Sequence, residues 1–338
     1  MARVECGIFD LTPKHVFRIA RGAKTAVRTV WVKLHAGGLT GLGEGAPQVF
    51  YGQTPESTLR AIKRFAGSLG DDLWQLEALD AKMNKILADE PSARCAIDLA
   101  LHDLMGKRLK QPLWKLWGLD PARTPRTSFT IGIAPIDEMV MKLLEVPEYP
   151  IIKIKVGFKG DLETVAALRK AAPKKVMRVD ANCGWDLKTA VTTIRKLEKY
   201  DVEYVEQPLP ARKLAQMTVL KRKVGLPLVA DESCQTVADI PNLRAGFDGI
   251  NIKLTKCGGL REAMRMIHTA RACSLKIMIG CMIESSILTT AAAQLGPLVD
   301  WLDVDGNLLI TNDPARGVGC KRGQLTLPTA PGLGVRLV

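Results

Sequence analysis

The 338-residue sequence predicts an α/β fold, a closed parallel barrel with a smaller α+β domain ahead of it. Two observations carry this. From about residue 127 onward a short apolar strand, a polar turn and an amphipathic helix recur every ~25 residues, a period that suits β-turn-α-turn. Residues 1 to about 120 lack that period and place strands before helices, and the whole chain is long for a single ordinary core.

In the first region, TVWVKLHAGGLTGLGEGAP reads as a hairpin with a glycine-rich turn, and PSARCAIDLALHDLMGKRL carries apolar residues at helical spacing. The barrel strands are read in TSFTIGI, IIKIKVG, VMRVDAN, VEYVEQPL, LPLVADES, INIKLTK, KIMIGCM and WLDVDG. Helical patterns such as DLETVAALRKAA and LREAMRMIHTARAC fill the gaps. An open doubly wound sheet is the competing arrangement, and eight strands without a break favour closure. The final stretch, GQLTLPTAPGLGVRLV, alternates apolar residues with prolines and is expected to leave the barrel. The predicted organisation is therefore an α+β capping domain over 1–120, completed by about 315–338, and a barrel over 121–314 carrying the site.

Composition narrows the function classes. Hydrophobic residues make up 47%, no run of roughly 18 apolar residues occurs, and acidic residues interrupt the opening segment. A cytoplasmic protein is expected. Eight cysteines without a C-x-x-C pair argue against a disulfide framework or a zinc site. The charge of +13 is dispersed and aromatics are only 5%, so a solvated basic surface is expected rather than a nucleic-acid footprint. A basic nucleic-acid-binding protein with a silent barrel is the remote alternative. The expected partners are a small-molecule substrate and further copies of the chain.

The segment IIKIKVG places Lys153 and Lys155 two positions apart, so both amines share one strand face. In a barrel covered on the outside that face is interior, where cations are costly unless it is a working cavity. The next three strands end near Asp180, Glu206 and Asp231. One such acid would read as a helix cap. Three at matching strand ends read as oxygen ligands of a hard divalent cation such as Mg²⁺. Lys253 near the end of the sixth strand lies half a turn from Lys155 on the second. Two amines so placed can remove a proton from one face of a carbon and return one to the other, with burial and the charge of Lys153 lowering the pKa of Lys155.

Taken together, KIKVG, VDANCGW, EQPLP, ADES, NIKLTKCGG and GCMIESS resemble the barrel of the enolase superfamily, in its muconate-lactonizing subgroup. GLGEGAP and ARCAIDLALHDL are similar to that subgroup's capping domain. The resemblance implies a modified TIM barrel, (β/α)7β, with one Mg²⁺ per subunit on Asp180, Glu206 and Asp231. It implies Lys155 and Lys253 as the acid/base pair, with Lys153 as a tuning neighbour. It also places Glu284 either near the substrate carboxylate or at a helix start. WLDVDGNLL resembles the D-x-D segment of dipeptide epimerases, whose two aspartates hold a free α-ammonium; here these are Asp303 and Asp305, which are expected to share one face of the strand and so to meet one cation together. Asn307 stands where that segment often has proline. In the loop around IARG, Arg21 or Lys24 is a candidate for an acidic substrate side chain, and His15 and Tyr51 are possible lining residues. The implied activity is Mg²⁺-dependent epimerisation of dipeptides such as L-Ala-D/L-Glu. A muconate cycloisomerase or o-succinylbenzoate synthase on the same barrel is the alternative.

Overall fold

The computed structural model describes residues 2–70 and 72–338. The chain opens with β1 (Arg3–Leu11), a short flap hairpin of β2 (Phe17–Ile19) and β3 (Gly22–Lys24), then β4 (Val27–Ala36) and β5 (Leu39–Gly45). β4 pairs antiparallel with both β1 and β5, which makes a three-stranded sheet. Three helices follow, α1 (Pro55–Ala66), α2 (Leu76–Ile86) and α3 (Pro91–Arg108). Thr54 and Ser57 close a capping box on α1, with Pro55 in its first turn.

The glycines of the fourth and fifth strands serve two purposes. Gly37 and Gly38 have φ of 56° and 75° and make the predicted hairpin turn. Gly41, Gly43 and Gly45 instead alternate along β5 and share one face. A Cβ on them would lie 2.0, 1.9 and 2.2 Å from the carbonyl oxygens of Ala100, Ala96 and Ser92. Those three residues form one ridge of α3 at four-residue spacing, so only bare backbone lets the strand lie on the helix. The intervening Leu42 and Glu44 point the other way, into the barrel side of the molecule.

The barrel strands are β6 (Phe129–Ile131), β7 (Ile151–Lys155), β8 (Val176–Asp180), β9 (Val202–Glu206), β10 (Leu228–Ala230), β11 (Gly249–Ile252), β12 (Lys276–Gly280) and β13 (Trp301–Asp303). They form one parallel sheet in sequential order, and each lies within its predicted segment except β11, which starts one residue earlier, at Gly249. The seam between β6 and β13 is held by Ser128 N to Leu302 O at 3.2 Å and, higher up, by Thr130 N to the Asp305 carboxylate at 2.7 Å. No α-helix follows β13, which leads into a 3₁₀ turn at Gly306–Leu309, so the barrel is of the (β/α)7β type.

Two acids tie the first region to the barrel, and a third ties it to the C-terminal segment. Glu44 caps the helix Ser286–Ala293, accepting from Ser285 N and Leu288 N at 3.1 Å and from Ser285 Oγ at 2.5 Å. Asp98 caps Leu260–Ala272 through Leu260 N at 2.6 Å. Asp103 accepts from Leu42 N and from Leu333 N, both at 2.7 Å, and so draws the C-terminal segment back onto α3. All eight cysteines are free, and among the described residues no helix is long and apolar enough to cross a membrane.

The contact between β5 and α3 is directly testable. Gly43→Ala should destabilise the fold by about 1–3 kcal/mol, the usual range for overpacking, and lower the thermal midpoint by several degrees in circular dichroism. Gly67→Ala, where nothing lies within 4 Å of the added carbon, should stay within about 0.5 kcal/mol of the parent. Equal stability of the two variants would refute the close-approach argument.

Candidate active site

Strand register brings the charged residues together. Lys155 on β7 stands opposite Asp180 on β8, and Asp180 stands opposite Glu206 on β9. Neighbouring strands lie about 4.8 Å apart, so these three side chains form one row at the C-terminal mouth. Asp231 directly follows β10 and Lys253 directly follows β11. The carboxylates of Asp180, Glu206 and Asp231 each offer an oxygen within 4.8 Å of the others, and all three residues are buried.

Four lysines offset this negative charge. Lys155 Nζ lies 2.6 Å from Asp180 Oδ2, and Lys253 Nζ lies 2.9 Å from Asp231 Oδ2. Lys153 is a hub, 2.6 Å from Asp303, 2.7 Å from Glu206 and 3.1 Å from Asp180. Lys256 bonds Asp231 Oδ1 and the Asp231 carbonyl, each at 2.6 Å. Burial raises the pKa of Asp180, but Lys155 and Lys153 outweigh it and hold the group below its usual range. Burial and then the charge of Asp180 push Glu206 up to about 7. Repulsion among the carboxylates is therefore concentrated on Glu206. Its Oε2 has Lys153 nearby but no well-aligned hydrogen bond, while Oε1 accepts from Asn251 at 2.8 Å. Three buried carboxylates with an unsatisfied oxygen among them suit a hard divalent cation.

Carboxylate partners, more than burial, govern Lys253 and Lys153. Burial does pull Lys253 down, but the carboxylate of Asp231 outweighs it and the net displacement is upward. Lys153 likewise ends well above the usual value, through Asp303, Glu206 and Asp180. Its contacts are with carboxylates, so it does not act as a bare positive neighbour.

Lys153, Lys155, Lys253, Asp231, Asp303 and Asp305 line a cavity of about 560 Å³ beneath the flap. Arg21 and Lys24 reach it from the flap, and Tyr51 also lines it. Arg21 is already committed: it pairs with buried Glu232, donates to Asn182 O at 2.8 Å and stacks over Phe50 at 4.2 Å. Among the described residues Lys24 donates only to the Gln48 side-chain oxygen. Burial, with Lys253 and Arg21 nearby, pushes its ammonium down to about 8. Of the two flap cations, Lys24 is the one without a carboxylate partner among the described residues. His15 lines a neighbouring cleft of about 310 Å³ and does not line the main one.

Two further expectations change. Glu284 does not line the cavity. It turns back to Met282 N at 3.0 Å and Thr289 Oγ1 at 3.4 Å, so it serves the local turn before a helix. Asp305 is not on the same strand face as Asp303, because β13 ends at Asp303 and Asp305 begins the 3₁₀ turn. Both still reach the cavity. Asn307, in that turn, donates to Ser286 Oγ at 3.0 Å.

Lys256, Asn251 and Glu232 escaped the sequence reading. Asn251 lies two residues before Lys253 and on the same inward face, so strand alternation could have found it. Glu232 follows Asp231 in ADES and Lys256 follows Lys253 by three, but nothing in either spacing shows that the turn after the strand folds inward.

The chain matches the mandelate racemase / muconate lactonizing enzyme N-terminal domain over residues 3–118 and the enolase C-terminal domain-like family over 137–338. It is 38% identical to the L-Ala-D/L-Glu epimerase of Bacteroides thetaiotaomicron, covering 97% of this chain and 86% of that one. It is 40% identical to the L-Ala-D/L-amino acid epimerase of a Maribacter species, covering 97% of each. Among solved structures, the dipeptide epimerase of Enterococcus faecalis V583, complexed with Mg and the dipeptide L-Leu-L-Tyr, superposes with a TM-score of 0.94 at 34% identity over 98% of each chain. With fold, strand-end acids and both domain matches in agreement over nearly its whole length, this chain belongs to the mandelate racemase / muconate lactonizing enzyme family of the enolase superfamily.

Proposed function

We propose that this protein is a Mg²⁺-dependent dipeptide epimerase that inverts the α-carbon of the C-terminal residue by two-base 1,1-proton transfer. The observation that carries the reading is the placement of Lys155 and Lys253 on one cavity, each bonded to a different member of the carboxylate trio. One amine takes the α-proton as the C–H bond breaks, and the ammonium of the other returns a proton to the opposite face. Because epimerisation runs in both directions, the lysine on the face that carries the proton acts as the base and the other as the acid. Asp180, Glu206 and Asp231 would hold the Mg²⁺, and the bound ion would act as a Lewis acid on the substrate carboxylate, offsetting the charge that builds as the proton leaves.

A dipeptide also carries a free ammonium and a second side chain. Asp303 and Asp305 supply negative charge on the cavity wall for the first. A cycloisomerase or synthase substrate without an ammonium would leave that charge without use, and this favours the epimerase reading over its nearest rival. Lys24 faces the same space with no carboxylate partner among the described residues, which favours an acidic second residue.

Two sets of outcomes test this. Lys155→Ala and Lys253→Ala should each lower epimerisation of L-Ala-L-Glu by roughly 10²- to 10⁴-fold, followed by chiral chromatography of the hydrolysed product. A chelator should abolish turnover and added Mg²⁺ restore it; full turnover in either lysine variant refutes the two-base assignment. Lys24→Met should cut kcat/KM for L-Ala-L-Glu by about 10- to 100-fold, the size of one charge-assisted contact, and change L-Ala-L-Leu only a few-fold. The sign of the pH effect follows from the lowered pKa. The Lys24 ammonium is lost as pH rises through about 8, so KM for the acidic dipeptide should climb above that pH while the apolar one does not follow. Parallel pH profiles would contradict the assignment of Lys24.

A further inference from the structure

The net charge of +13 is dispersed along the sequence, but the fold gathers most of it in one place. The turns that enter β8, β9 and β10 are RKAAPKK (169–175), RKLEKYD (195–201) and KRKVGLP (221–227). Together they hold ten lysines and arginines against two acids, which is eight of the thirteen net charges. β8, β9 and β10 are adjacent strands, so the turns stand side by side on the N-terminal rim of the barrel. That rim is at the opposite end from the cavity, where its charge has no part in drawing substrate to the lysines and acids of the mouth.

Hydrogen bonds brace the three turns into one strip. Arg169 Nε donates to Tyr200 O at 2.9 Å and its Nη2 to Asp201 O at 3.1 Å, which ties the first turn to the second. Arg195 Nε donates to Lys223 O at 2.8 Å, and Glu198 Oε1 accepts from Gly225 N at 2.8 Å, which ties the second to the third. Lys170, Lys174, Lys196, Lys199, Arg222 and Lys223 are exposed, and among the described residues none of the six forms an ion pair. Helix macrodipoles explain only part of this. Lys170 and Lys196 stand in last turns, of Asp161–Ala171 and Leu187–Leu197, and offset the partial negative charge there. The other four lie past the helix ends. The helices before β11 and β13, Ile240–Leu243 and Ser286–Ala293, have no cation in their last turns. The strip also has edges. The turn entering β7, EVPEYP (145–150), holds two exposed acids and no cation, and on the other side Lys221 is neutralised by Asp248 at 2.9 Å.

We propose that this strip is a docking surface for an acidic peptide segment of a partner protein. Charge complementarity selects a polyanion, since unpaired like charges on one rim repel one another and a bound anion offsets that repulsion. The edges select a narrow one: an anionic bilayer would overhang them and meet Glu145 and Glu148. Four of the six free cations are lysines, point charges that suit single carboxylates, whereas phosphate is matched best by the arginine fork. Tyr200 is the one aromatic residue in the three turns and is half-buried, so the strip offers no open ring on which a nucleic-acid base would stack. Neighbouring helices pack about 10 Å apart, which makes the strip about 20 Å long and matches about six residues of extended peptide. The surface is independent of the reaction at the other end of the barrel.

The probe is a fluorescein-labelled peptide of alternating glutamate and serine, about 12 residues long, titrated with the full chain at about 0.15 M salt and followed by anisotropy. One variant combines Lys174→Gln, Lys199→Gln, Arg222→Gln and Lys223→Gln. A control removes the same charge from exposed cations of the first region, through Arg60→Gln, Lys63→Gln, Lys85→Gln and Lys115→Gln. The strip variant should bind about 10- to 100-fold more weakly than the parent, and the control no more than about two- to threefold. Lys174→Arg with Lys199→Arg, which keeps the charge, should stay within about twofold of the parent. No saturable binding by the parent, or equal losses in the strip variant and the control, overturns the proposal. Tighter binding of phosphatidylglycerol vesicles or a DNA duplex than of the peptide, at equal anion concentration and salt, overturns the choice of partner. So does self-association in sedimentation velocity that only the strip variant loses, which would put a second copy of the chain on the strip.

Discussion

Four buried carboxylates, Asp180, Glu206, Asp231 and Asp303, crowd the C-terminal mouth of the barrel, and their repulsion is the constraint that the rest of the structure answers. A buried, unpaired ion costs several kcal/mol even after relaxation. Lys153, Lys155, Lys253 and Lys256 offset that cost, each directed at one or more of those oxygens. Two lysines on one inward strand face are tolerable only because the next two strands place acids in the same register. The arrangement balances its charges without satisfying every atom, and the residual strain falls on Glu206, held near neutral pH with one oxygen lacking an aligned donor. A site left in that condition is suited to binding a cation and is a poor way to gain stability.

Chemistry and selectivity are placed on different parts of the molecule. The acids and lysines stand at strand ends, the most rigid positions the fold offers, as a proton transfer between fixed bases requires. The groups that would meet a substrate side chain, Lys24, Phe50 and Tyr51, come from the flap and from the loop after β5. Those segments depend on the close packing of β5 against α3, which the three alternating glycines permit. Glu44, projecting from the opposite face of the same strand, caps the barrel helix that follows β12. A single strand thus sets both the spacing of the capping region and its orientation over the cavity. Arg21 completes the link by pairing with Glu232, the neighbour of Asp231.

Much of this was legible in the residues. Strand ends were readable because the repeat has a fixed period, so acids recurring at one phase of it had to meet. The inward lysines followed from alternation within IIKIKVG. Legibility failed wherever the chain leaves regular structure, since no period governs a turn. Asp305 was read as a strand residue sharing a face with Asp303, and it lies instead in a 3₁₀ turn. Glu284 was left open between the substrate and a helix start, and it folds back onto the turn before the helix. Lys256 was overlooked because a third lysine after a strand end ordinarily goes to solvent, and only the tertiary fold carries it onto Asp231. The choice between Arg21 and Lys24 also lay beyond the sequence, because it depends on Glu232, 211 positions away.

The most direct measurement incubates the unaltered protein with Mg²⁺ in D₂O against a library of L,L-dipeptides and follows mass and chirality. The account predicts a gain of one mass unit with inversion at the C-terminal residue, greatest for dipeptides with an acidic second residue. No gain in any dipeptide, with Mg²⁺ shown to be bound, would contradict it and point to the cycloisomerase and synthase branch.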